Sequence, residues 1–170
     1  MNANALFKLT SGLYVVSAAD GDDVGACVIN TGLQLTAEPL QVQVVVNKQN
    51  YTEGVIERAG HFALTMITTE ADMPYIGRFG FRTSAEVDKV EGIEVARTSL
   101  GDPYTPECAC AVIGCKVVQT LDVGTHMIFV GEVVDAEVLS DADPLTYAYY
   151  HSTLKGKTPP KASSYVPESA

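Results

Sequence analysis

Hydrophobic and polar positions alternate with a period of two in several separated stretches, the pattern of strands with one buried face. Leu40, Val42 and Val44 alternate with Gln41 and Gln43, and the run then turns continuously apolar, which predicts a strand over 40–47 entering a buried sheet. LYVVSAA (13–19) and VGACVIN (24–30) flank the turn-rich DGDD and predict a hairpin held by Asp20 and Gly21. HFALTMIT (61–68), CACAVIGCKVVQT (108–120) and THMIFVGEVVDAEVL (125–139) predict further strands, the last two a long antiparallel pair joined across LDVG.

The helical period is rarer. ALFKL near the start and YTEGVIERAG (51–60) carry it; in the second, Asn50 or Thr52 can cap the helix, Val55, Ile56 and Ala59 share a face, and Gly60 ends it. ADMPYIGRFG predicts one more helical turn with Pro74 near its start. Many strands, few helices and frequent turns predict a mainly β fold, an antiparallel barrel closed or nearly closed with small helices over its openings. From Gly156 the composition shifts to Pro, Ser and Lys, which predicts one domain over 1–155 and an extended carboxy-terminal tail over 156–170.

Composition narrows the partners. With 11 basic and 21 acidic side chains in 170 residues, a formal net charge of -10 repels nucleic acid and anionic membrane surfaces. A single small phosphate remains compatible, because screening confines such a contact to about 8–10 Å. No apolar run is long enough to span a bilayer and the amino terminus lacks the order of a signal peptide, so a cytoplasmic protein is expected. Cys27, Cys108, Cys110 and Cys115 contain no C-x-x-C pair and read as reduced thiols; His61, His126 and His151 lack metal-ligand spacing, so no metal is expected.

Three polar constellations remain. In NTGLQLT, Asn30, Thr31, Gln34 and Thr36 gather where a strand ends and a loop begins; such amides and hydroxyls can read a planar heterocycle, or cap their own backbone. In NKQNYT, Asn47, Lys48, Asn50 and Thr52 stand where a strand passes into a helix amino terminus, suited to one phosphate group or to plain capping. In GRFGFRTS, Arg78 and Arg82 flank two aromatic residues, which can stack on a flat ring or plug the barrel end. No Gly-x-Ser-x-Gly elbow is present, and Asp88, Glu91, Asp135 and Glu137 have the spacing of solvated faces.

Taken in order, GLYVVS, NTGLQLTAEP, NKQNYT, IGRFGFRTS, DVGTHMIFVGEVVDAEVL and YAYYHSTLKGKTPPKA resemble the flavin reductase-like family of FMN-binding split barrels. Within it the resemblance is to flavoredoxins, prokaryotic ferric reductases and the amino-terminal halves of high-molecular-weight rubredoxins, and it runs from about Ala5 to Ala162. The resemblance implies a homodimeric, six-stranded antiparallel split β-barrel with FMN near the subunit interface, its ring exposed to NADH, NADPH or an electron acceptor. Asn30, Thr31, Gln34 and Thr36 would lie along the flavin ring and ribityl chain, and Asn47, Lys48, Asn50 and Thr52 would hold the phosphate. Phe81, Arg82 and Ser84 would approach from the third loop, His126 would face the flavin or the nicotinamide, and Tyr150 with His151 would lie over the site. At the position before His126 the family often has Asp, whereas this chain has Thr125.

The implied activity is an FMN-dependent oxidoreductase taking hydride from NADH or NADPH and reducing flavin, ferric chelates or a protein. Two alternatives stay open: an FMN electron carrier reduced by a protein partner, and a binding module without FMN. No cysteine pair follows KGKTPPKA, so electrons are expected to leave to a separate acceptor such as a rubredoxin or flavodiiron-type protein. Cys27, next to the first constellation, reads either as a redox thiol or as a buried structural one.

Overall fold

The periodic runs become strands in the computed structural model, which describes residues 3–165; the last part of the expected tail, 166–170, lies outside the described residues. β1 (Tyr14–Asp20) and β2 (Asp23–Ile29) form the expected hairpin. β3 (Leu33–Ala37) turns back onto β4 (Leu40–Asn47), α1 (Tyr51–Ala59) leads into β5 (His61–Ile67), and α2 (Met73–Gly80) follows. β6 (Ala96–Arg97) and β7 (Pro103–Tyr104) make a small separate ribbon, and β8 (Ala109–Asp122) and β9 (His126–Val138) form the long pair, before α3 (Tyr147–Ser152). The start of the chain is a short 3-10 turn, Ala3–Lys8, where helical character was expected.

The main sheet is antiparallel in the order β2-β1-β5-β8-β9-β4-β3. Register breaks in β8 at Gly114/Cys115 and Val117/Gln119 sharpen its bend, and the sheet curls around one core. Val16, Val44, Val46, Phe62, Leu64 and Phe129, drawn from four strands, meet inside it. The six strands of the expected split barrel are β1, β2, β4, β5, β8 and β9; β3 adds a seventh, exposed along its whole length.

The two ends of the curled sheet are not joined by a strand ladder. Thr31, just past β2, crosses the seam instead: its Oγ1 donates to the Val45 carbonyl (3.0 Å) and accepts from the Val45 N–H (3.2 Å) on β4. α1 closes one barrel opening with Val55 and Ile56 fully buried, which is the apolar stripe read from the sequence. Asn50 caps it by accepting from the Thr52 N–H (3.2 Å), and Gly60 ends it at φ 72 with its N–H on the Ile56 carbonyl. The helix comes so close to β2 that a Cβ on Gly25 would lie 2.8 Å from the Thr52 Cα.

A second apolar cluster lies outside the barrel, where Ile76 and Phe79 of α2 and Tyr150 of α3 pack on Leu13, Val15 and Ile67. On the opposite side the β6–β7 ribbon is pinned by Asp102, whose fully buried carboxylate accepts from the Ala19 N–H (3.0 Å) and from His61 Nδ1 (2.8 Å). Burial pushes the Asp102 carboxyl up from its ordinary value, with the His61 contact opposing the shift. His61, read as a strand-edge residue, thus holds a distant loop as well.

Candidate functional site

A groove of roughly 600 Å³, counting its open mouth, runs along the seam between the end of β2 and the end of β4. Strand ends collect polar side chains there because the ladder has run out of partners: Asn30 and Thr31 leave β2, and Asn47 ends β4 directly opposite His126, the first residue of β9. Asn50 joins them from the start of α1, and Phe81, 55% exposed at the end of α2, stands at the mouth. The floor is apolar, formed by Leu13, Val28, Ile29, Val46 and Ile76.

Although the chain carries 21 acidic side chains, none of the described residues lining the groove is acidic. An apolar slot with a rim of neutral amides, a hydroxyl and an imidazole can hold a flat heterocycle and bond its carbonyl and ring-nitrogen acceptors. The lack of carboxylates leaves the groove tolerant of a ligand that carries phosphate.

Of the thirteen residues singled out in the sequence, Asn30, Thr31, Asn47, Asn50, Phe81 and His126 line this groove. Gln34 and Thr36, expected in a loop, lie on exposed β3, because Leu33–Ala37 pairs with the polar start of β4. Lys48 stands beside the groove and binds Asp122 (2.6 Å), whose carboxyl it holds below its ordinary value. Thr52 is fully buried at the start of α1, and its Oγ1 has no hydrogen-bond partner among the described residues.

Arg82 is exposed and lines no part of the groove, while Ser84 bonds the β2 edge through the Ala26 N–H and carbonyl and borders a different depression. That depression contains Lys89, a buried ammonium donating to the Ala26 (2.6 Å) and Phe79 (2.8 Å) carbonyls. His151 takes no place in the groove; its Nδ1 donates to the Gly156 carbonyl (2.9 Å) and anchors the start of the tail. Burial pushes the Cys27 thiol up to about 11, against the opposing pull of Lys89, which favours the protonated, buried structural thiol of the two readings.

Tyr150, expected over the site, does line the groove, while sequence reading missed Tyr147, Lys161 and Ser163, which complete it. The tail folds across the rim: the Lys161 carbonyl accepts from Asn47 Nδ2 (3.0 Å) and His126 Nε2 (3.3 Å). Asn30 Nδ2 donates to Ser164 Oγ (3.0 Å), and Ser163 Oγ donates to Asn30 Oδ1 (3.2 Å). Ser164 Oγ also donates to the Tyr147 hydroxyl (3.1 Å). The shift to Pro and Ser after Gly156 marked the segment as extended, but nothing local showed where it would lie.

Comparison with known proteins adds three relatives. Residues 6–157 match the family described as flavin reductase like domain. A ferric-chelate reductase (NAD(P)H) of Archaeoglobus fulgidus is 45% identical over 165 residues, spanning 97% of this chain and 98% of the relative. A high molecular weight rubredoxin of Moorella thermoacetica is 39% identical over 166 residues, spanning 98% of this chain and 72% of the relative. Among solved structures, an NADH:FAD oxidoreductase of Streptomyces globisporus superposes with a TM-score of 0.74 at 19% identity over 81% of each chain, a likeness of fold.

Proposed function

The chain belongs to the flavin reductase like domain family, and from that membership we propose that its groove takes FMN and that the protein passes hydride from NADH or NADPH to free flavin, a ferric chelate or a protein acceptor. The observation that carries this reading is the acid-free, amide-rimmed groove over an apolar floor. The reductase relative, 45% identical over nearly both whole chains, supports the nicotinamide donor.

A bound flavin supplies acceptance of hydride and release of electrons singly or in pairs. The chain supplies binding and access. Asn30 and Asn47 offer amide N–H donors to ring carbonyls, and the apolar floor with Phe81 takes the faces of the ring. Asn50 and the start of α1 offer the phosphate end a positive helix terminus, reinforced by Lys48 once it shares Asp122. His126 holds its Nδ1 against Thr125 Oγ1 (2.8 Å), which leaves Nε2 as the atom directed at the groove. Gln34, Thr36, Arg82, Ser84 and His151 lie outside the groove, and Thr52 supports the helix start beside it.

Protein loaded with FMN and mixed anaerobically with stoichiometric NADH, then NADPH, should lose its blue-absorbing flavin band on the mixing timescale with one of them. A band that persists with both would overturn the reductase reading. It would favour a second reading, supported by the likeness to a high molecular weight rubredoxin: an FMN electron carrier served by a rubredoxin or flavodiiron-type partner.

Leu33, Leu35 and Leu40 on the β3–β4 arm and Val118, Leu121 and Val134 on the β8–β9 pair are exposed apolar side chains, which support a homodimer. Sedimentation equilibrium should give twice the 18.1 kDa chain mass, and a monomer mass at micromolar concentration would refute it. No described helix is long and apolar enough to cross a membrane. The four free thiols suit a reducing compartment such as the cytoplasm.

A further inference from the structure

We propose that residues 157–164 are a built-in occupant of the groove, a strap that competes with the ligand for Asn30, Asn47 and His126 and is displaced when the ligand binds. The inference rests on the flavin reading above and adds a regulation of the same site.

The strap meets the rim with the chemistry of a ligand. A peptide carbonyl, that of Lys161, sits where Asn47 Nδ2 and His126 Nε2 converge, at 3.0 and 3.3 Å. Both ends of the Asn30 amide are likewise engaged, its Nδ2 by Ser164 and its Oδ1 by Ser163. These are the donors and acceptors that a ring carbonyl or ring nitrogen would use, and an amide N–H that serves one acceptor at full strength serves a second poorly.

Root and tip of the strap are held differently. The root is fixed to α3, by the Gly156 N–H on the Tyr150 carbonyl (2.9 Å) and the Tyr150 hydroxyl on the Lys157 carbonyl (3.0 Å). Thr158 pairs with Tyr147 and adds to the root, whereas the tip is held through side chains of the rim and through Tyr147, which accepts from Ser164. Pro159 and Pro160 lie between them and restrict the backbone, so the tip can leave as a stiff unit while the root stays. A strap closed most of the time raises the apparent dissociation constant of the ligand by the reciprocal of the open fraction.

The test weakens the strap from its own side and leaves the rim intact. The full chain carrying Ser163→Ala and Ser164→Ala loses three latching hydrogen bonds, and at the usual worth of a factor of about 2 or more for each it should bind FMN about tenfold tighter or more than the unaltered chain, up to the limit set by a fully open strap. Hydrogen exchange of the amides in 158–164 of the unaltered chain should speed up when FMN is added. Unchanged or weaker FMN binding by the double variant, or slower exchange on FMN addition, overturns the strap as competitor, while retention of FMN by the unaltered chain keeps the flavin reading. Failure of both proteins to bind FMN overturns the flavin reading and the strap with it.

Discussion

Replacing Asp102 by alanine lowers the unfolding free energy by roughly 2–4 kcal/mol, the usual loss when a buried acceptor is removed and two donors are left without a partner. The carboxylate is fully buried and His61 keeps about a quarter of its side-chain exposure, 23%, so truncation leaves the His61 Nδ1 and the Ala19 N–H without their acceptor. It also releases the β6–β7 ribbon from β1 and β5, which are central strands of the sheet. Asp102→Asn retains the shape and one acceptor oxygen and should lose about half as much. Urea unfolding followed by far-UV circular dichroism reads both; equal midpoints for Asp102→Ala and the unaltered chain would show that the pair adds nothing net.

The second large effect belongs to Gly25→Ala. The added Cβ would lie 2.8 Å from the Thr52 Cα, a backbone atom, and 3.1 Å from Val55 Cγ2, so α1 must move away from β2. Overpacking of this kind costs roughly 1–3 kcal/mol. Asn50 stands at the start of that helix and lines the groove, so FMN affinity should fall together with stability. Urea midpoint and FMN titration measured on the same preparation separate the two: a lowered midpoint with unchanged affinity would detach α1 from ligand binding.

What the sequence revealed and what it hid follow from how far apart the interacting residues stand. The hairpin of β1 and β2 was legible because apolar runs flank a local turn, and 40–47 because Gln41 and Gln43 alternate with buried valines. β3 was hidden because Leu33–Ala37 is exposed throughout and carries no buried face to set a period. α3 was hidden behind an aromatic run of six residues, too short to show a stripe, whose start depends on Thr146 capping Tyr149. Asn30, Asn47 and His126 could be picked out because polar residues at strand ends stand out locally. Lys161 and Ser164 could not, since they reach partners 114 and 134 positions away, and His61 meets Asp102 across 41.

The seam has a thermodynamic meaning beyond its shape. Where a closed barrel would continue its ladder, this one relies on the hydroxyl of Thr31, and the groove lies along that same line. A ligand touching Asn30 on one side and Asn47 with His126 on the other therefore acts as a removable brace between the two margins of the sheet. Folding and occupancy are then linked quantities: a ligand at a hundred times its dissociation constant adds about 2.7 kcal/mol to the folded state. The melting temperature of the protein becomes a readout of cofactor supply.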